Sequence, residues 1–301
     1  MNTWYTVVPI VQQYNDEKTI PEKAWKLGNG VFYELIPDWL KEDHIIGHLS
    51  STFKTFLKEE AKYILISKYK ANRMGEQEAT GTGGSRQERA YKNIRISNLM
   101  LWIVHPSAFG FKLVFHIEEL MGSQRHWFSS PVGPISPHFR YEDESLEKKD
   151  FNEACNLHLK INDLHRKGPL WMALRTVLDA LTIRFSWEAR YLLLWAAAEA
   201  LFGSQHEIAF KISLRASSFL GSTAERKKQL FQRVKKGYNW RCKLIHGMKL
   251  YELKRPESEK VLYDTEYMIG KTLRKILNDD DLIRVFSDNK KREKYLDDLI
   301  F

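Results

Sequence analysis

The chain has 301 residues, 43% of them hydrophobic and 13% aromatic, which suffices for two domains with separate cores and lacks the bias of disordered or fibrous chains. Two cysteines, Cys155 and Cys242, exclude a disulfide framework and a four-cysteine zinc site. The formal net charge is +9, and its placement matters more than its size. Residues 1–14 lack the basic segment of a secretory signal, and the most apolar window, residues 191–202, is too short to span a bilayer and contains Glu199. A cytoplasmic protein with no membrane partner is therefore expected.

The expected fold class is α+β, with a mixed, β-rich domain over residues 1–146 and an all-helical bundle over 147–301. Residues 4–10, 31–36, 63–69 and 109–117 are rich in β-branched and aromatic side chains and read as strands. Residues 50–61 and 96–104 read as helices. Between them the run from Thr80 to Ser85 is rich in glycine. A phosphate-binding loop needs Lys and then Ser or Thr after its last Gly, whereas Ser85 and Arg86 follow here, so the run reads as a surface loop. Pro131, Pro134 and Pro137, followed by an acidic tract, mark the domain boundary.

Beyond the boundary the helix signals are clear. Ser186 is placed to cap a helix ending at Phe202. Ser204 with Glu207 and Ser222 with Glu225 match capping boxes, each behind a glycine (Gly203, Gly221) able to end the preceding helix. Pro256 fits the first turn of a further helix, whose apolar stripe is Leu262, Ile269, Leu273 and Ile276. The helix over 187–202 is apolar nearly all round, which predicts a central place in the bundle. Glu199 is its exception, and a carboxylate there needs a cationic partner or an altered pKa.

The positive charge is concentrated. Nine basic residues (Arg226, Lys227, Lys228, Arg233, Lys235, Lys236, Arg241, Lys243 and Lys249) lie within residues 222–250 against the single acid Glu225, so this stretch holds +8 of the +9. A solvated helix face and a phosphate-binding surface both fit such a run.

The same stretch contains Tyr238, Asn239, Trp240, Arg241, Cys242, Lys243, Leu244, Ile245, His246 and Gly247, in which four residues separate an Arg from a His. This segment resembles the signature of HEPN ribonucleases, and its flanking Tyr and Gly resemble the Apea-like branch of bacterial abortive-infection systems. The order of the Glu199–Phe202 helix end, the stretch from Glu207 to Ala216 and the basic helix is similar to that branch over residues 170–247. Residues 27–40 and 139–159 resemble the accessory domain more loosely. The family often has a polar residue after the Arg, where this chain has Cys242, a weak hydrogen-bonding group.

The resemblance implies a HEPN-type bundle and a metal-independent endoribonuclease with Arg241 and His246 as the catalytic pair. It further implies no cofactor, a homodimer with a composite site, and a toxin or antiphage effector role. Its N-terminal domain would sense a phage or host trigger or restrain the nuclease, and an antitoxin is a further partner. The residue types suit the chemistry. Imidazole exchanges protons near neutral pH, and a planar guanidinium grips two phosphate oxygens.

On an ideal helix, five positions turn through about 140°, so Arg241 and His246 of one chain diverge; two chains about a two-fold axis can bring both pairs to one cleft. Asn239 and Cys242 share the face of His246. Asn239 is placed either to orient the imidazole or to be solvated, and Tyr238 either to stack on the guanidinium or a base or to pack in the core. Arg241 aligns with Leu230, Val234, Tyr238 and Ile245 if the helix runs through Gly237, which could interrupt it. Glu199 is a supporting candidate, and Arg233, Lys235, Lys236 and Lys243 are candidate RNA contacts.

Other combinations are weaker. His44 and His48 have helical metal-ligand spacing but no third ligand. His116 with Glu118 makes half of a deaminase signature, without its paired cysteines. His158 and His165 need no special role. The rival to a nuclease is a non-catalytic HEPN module that dimerises and binds RNA or protein.

Overall fold

The computed structural model describes residues 2–11, 24–71, 85–105, 110–111, 113–119, 125–131, 147–164, 166–183, 186–204, 208–247 and 255–300. The chain divides into two compact units, Met1–Trp102 with Ser107–Leu159, and Ile103–Pro106 with Lys160–Phe301. The architecture is α+β: a sheet-based unit, then a run of helices.

The sheet is antiparallel throughout. Its strands are β1 (Asn2–Val11), β2 (Trp25–Gly28), β3 (Val31–Leu35), β4 (Tyr63–Ala71), β5 (Gly110–Phe111), β6 (Leu113–Glu119) and β7 (Arg125–Pro131). Their order is β2-β3-β4-β1-β6-β7, with β5 also on β1. β1 lies at the centre, where Val7 pairs with Ile66 on one side and Phe115 on the other. Period-two alternation sends Val7, Ile64, Ile66, Phe115 and Ile117 to one face, which packs on Ile45 and Ile46 of α1 (Asp43–Ile46) and on Phe56 and Leu57. Phe53 of α2 (Ser51–Thr55) borders the same core.

The opposite face carries Thr6, Tyr33, Tyr63 and His116, all buried. Tyr33 stacks on Tyr63 at 5.0 Å and meets Phe151 of α4 (Lys148–Asn162) at 4.7 Å. His158 of α4 lies 2.9 Å from the hydroxyl of Ser97 on α3 (Arg86–Val104) and 3.3 Å from the amide of Asn29 in the β2–β3 turn. Helices thus cover both faces of the sheet.

These contacts tie α4 to the sheet, and the compact unit that holds the sheet extends to Leu159. The helix expected over 96–104 begins at Arg86, because Ser85 and Glu88 form a reciprocal capping box: the Ser85 N–H donates to Glu88 at 2.7 Å and the Glu88 N–H donates to Ser85 Oγ at 3.2 Å. The glycines at 81, 83 and 84 lie outside the described residues.

The helical unit contains α5 (Gly168–Thr182), α6 (Trp187–Phe202), α7 (Ile208–Leu220), α8 (Ala224–Ile245), α9 (Arg255–Leu277), α10 (Asp280–Phe286) and α11 (Asn289–Asp298). Ser186 caps α6 by accepting from the Ala189 N–H at 3.0 Å, as expected. On α8 the cap is Thr223, whose hydroxyl accepts from the Arg226 N–H at 3.2 Å; this corrects the expected Ser222–Glu225 box by one residue. The Ser204–Glu207 box lies partly outside the described residues. Leu262, Ile269, Leu273 and Ile276 of α9 are buried.

α6 is central and packs against α5, α7, α8 and α9. Its buried Arg190 pairs with the buried Glu266 of α9 at 2.7 Å. Removal of either partner would leave an uncompensated charge, which costs about 3–5 kcal/mol. The C-terminal carbonyls of α6 are met by two arginines. Arg215 of α7 donates to the carbonyls of Phe202 at 3.1 Å and Gly203 at 2.9 Å, and Arg292 of α11 donates to those of Ala200 and Gly203. Asp297 holds Arg215 from α11 at 2.7 Å. No helix among the described residues is long and apolar enough to cross a membrane.

Candidate functional site

The site is built where α6 and α8 approach each other. α8 runs unbroken through Gly237, so the helix is continuous across the candidate segment. Glycine is needed there for space. A Cβ on Gly237 would lie 2.7 Å from Cζ2 of Trp195, and the Tyr191 hydroxyl donates to the Gly237 carbonyl at 2.6 Å. Trp195 also meets the Tyr238 ring edge-on at 5.4 Å. This close approach brings the C-terminal half of α6 against the C-terminal half of α8.

Glu199, in the last turn of α6, receives two donors from α8. Arg241 Nη2 lies 2.8 Å from Glu199 Oε1, and the Tyr238 hydroxyl donates to the same oxygen at 3.2 Å. The guanidinium also sits 5.3 Å from the centre of the Tyr238 ring. Burial, followed by the charge of Glu199, pushes the Tyr238 phenol up to about 12. The ion pair itself is half open, with side-chain exposures of 24% for Arg241 and 28% for Glu199. One nitrogen of a fork with five N–H donors is engaged by the carboxylate, and the fork reaches solvent, where it can meet an anion.

His246 is the residue that ends α8. Its backbone N–H donates to Cys242 O at 3.1 Å, and Gly247 follows with φ +82°, a left-handed position that favours glycine. The imidazole is exposed. Among the described residues no hydrogen bond or ion pair links it to Arg241 or Glu199. Arg241 lies in the α6–α8 seam and His246 is exposed at the helix end, as is Asn239 on the preceding turns, while Cys242 is half-buried near Tyr191 and Tyr238. The side chain next to His246 on the seam side, Ile245, is apolar and 50% exposed.

The basic candidates are spread along α8. Lys235, Lys236 and Lys243 are exposed, and Arg233 is held loosely by Asp264 of α9 at 3.8 Å. Lys243 lies 4.2 Å above the Trp240 ring and Lys235 lies 5.8 Å from the Phe231 ring.

His44 is exposed and pairs with Glu42 at 3.2 Å, while His116 is buried against Thr6 at 3.0 Å. Among the described residues no group of three or more His, Cys, Asp or Glu side chains could hold a metal ion. His165 lies outside the described residues.

The sequence reading did not reach Trp195, Tyr191 or Phe231. For the first two the available signal was a glycine in the middle of a helical pattern, which marks a close approach as readily as a break. Comparison with protein-family models, curated proteins and solved structures returns no match.

Proposed function

We propose that the chain is a metal-independent endoribonuclease of the HEPN type, with Arg241 and His246 as its catalytic pair. The observation that carries this reading is the placement of Arg241. Glu199 and Tyr238 hold it in a fixed orientation at a half-open position, on the helix that ends in an exposed His246. The surrounding α8 surface supplies positive charge for a polyanion through Lys235, Lys236, Lys243 and Arg233.

In this reading the 2′-oxygen of the RNA attacks the adjacent phosphorus while imidazole accepts the 2′-OH proton. The P–O5′ bond breaks, the 5′-oxygen takes a proton from imidazolium, and a 2′,3′-cyclic phosphate and a 5′-hydroxyl result. Arg241 stabilises the charge on the phosphoryl oxygens. Because Arg241 and His246 diverge on one helix, the working site is a composite cleft to which two subunits bring both pairs, and exposed Ile245 beside His246 suits a two-fold contact at that end of α8. A toxin or abortive-infection role in the cytoplasm, with a phage or host trigger or an antitoxin as regulator, follows from the resemblance of the motif.

Incubation of labelled RNA with the purified protein in chelator tests the reading. Cleavage should be lost in His246→Ala with its circular dichroism spectrum unchanged, and cleavage that survives this substitution refutes the assignment. One observation favours the rival, a binding module without catalysis: the pairing of Glu199 with Arg241 equally serves to staple α6 to α8. That module would bind the same RNA and leave it intact.

A further inference from the structure

We infer that the outward side of α8 carries a base-stacking site for single-stranded RNA, centred on Phe210 and Phe231. This rests on the RNA reading above but not on catalysis.

Phe210 of α7 is 50% exposed, an unusual position for a ring of that size, and it meets the half-buried Phe231 of α8 edge-on at 5.7 Å. Cations bracket this pair. Lys227 and Lys228 precede Phe231 by one turn, and Lys235 follows it by one turn with its ammonium 5.8 Å from the ring. An apolar platform ringed by lysines fits an unpaired base with its phosphates: the ring offers a π-face that any base can use, and the lysines meet the backbone on either side.

Position along the helix links the platform to the motif. Lys228, Phe231, Lys235, Asn239, Cys242 and His246 fall within about 80° of one another on the helical wheel, on the flank of the buried stripe of Leu230, Val234 and Tyr238. Fifteen residues from Phe231 to His246 correspond to about 22 Å, a span that a few unstacked nucleotides cover. Charge also selects the occupant. A second copy laid on this patch would face lysine against lysine, whereas a polyanion neutralises the same groups.

The test uses the His246→Ala protein, so that probes stay intact, with a fluorescein-labelled 12-nucleotide single-stranded RNA and a duplex RNA of equal length followed by anisotropy. Phe231→Ala in this background should weaken the single strand about tenfold and leave the duplex within about twofold, because a paired base has no free face to stack. Phe231→Trp should retain the single-strand affinity, which guards against misfolding as the cause. An abasic nucleotide at one position of the probe should reproduce the loss, and combining it with Phe231→Ala should add little.

Equal weakening of both probes, or none, overturns the site. So does a dimer in sedimentation that Phe231→Ala dissolves, which would make the patch a self-association surface. RNA binding with these signatures in a protein that never cleaves would refute the nuclease reading and leave the stacking site standing.

Discussion

Replacing Gly237 by Ala sets two effects of opposite sign against each other. In the middle of a helix the change from Gly to Ala contributes about 1 kcal/mol of stability through propensity alone. The added Cβ, however, would lie 2.7 Å from Cζ2 of Trp195, well inside the carbon–carbon contact distance of about 3.5 Å. Trp195 is buried and held by ring contacts to Tyr191 and Tyr238, which it would have to give up to shift into the small cavity it lines with Leu230, Val234 and Met268. Overpacking of this kind costs about 1–3 kcal/mol, and the backbone is the part that must move. As α8 backs away from α6, the 2.6 Å bond from Tyr191 to the Gly237 carbonyl stretches, and the Glu199–Arg241 pair four residues further on loosens with it. The expected net result is a loss of about 1 kcal/mol in urea denaturation, with faster amide exchange confined to the facing stretches of α6 and α8. A Gly237→Ala protein as stable as the parent, or more so, would show that propensity wins and that the close approach does not set the seam.

Glu199→Gln keeps an acceptor for Tyr238 but removes the negative charge that helps hold the phenol up at about 12; the Tyr238 titration, followed by phenolate absorbance, should move down, and an unmoved curve would refute the contact. In the sheet unit, burial holds His116 and His158 down at about 4, below the ordinary value of 6.5. A depressed folded-state pKa gives stability that is present above pH 6.5 and lost as pH falls through 4, and each group accounts for about 3 kcal/mol of it. The urea midpoint of this unit should therefore drop steadily from pH 6.5 to 4, and a flat profile would contradict the burial of both rings.

How far the sequence reveals the molecule depends on the range of the forces involved. Local signals locate the four strand-rich runs, the Ser186 cap and the stripe of α9, because alternation, capping and periodicity are properties of neighbouring residues. β2 and β7 escape because four-residue Trp25–Gly28 and the mixed Arg125–Pro131 have no strong alternation of their own and are made strands by their neighbours. The α8 cap moves from Ser222 to Thr223 because two adjacent hydroxyls suit a cap equally well in sequence, and the helix starts at Ala224. At the site, the need for a partner to Glu199 is legible from its apolar helix. That the partner is Arg241 is not, since the pairing follows from how closely Gly237 lets two helices approach. The outward position of His246 is legible from a spacing of five on one helix, and the structure keeps the two motif side chains apart.

The arginine clasp on α6 has a consequence for the order of events on the ribosome. The turn that carries Glu199 ends in carbonyls that wait for residues from α7 and α11, the latter almost a hundred positions downstream. A nascent chain can wind α6 and α8 early, and Arg215 can reach the carbonyls of Phe202 and Gly203, yet the Ala200 carbonyl lacks its Arg292 donor and Arg215 lacks Asp297 until α11 has emerged. The full set of donors on the end of α6, the helix that carries Glu199, is therefore complete only once translation has run through α11.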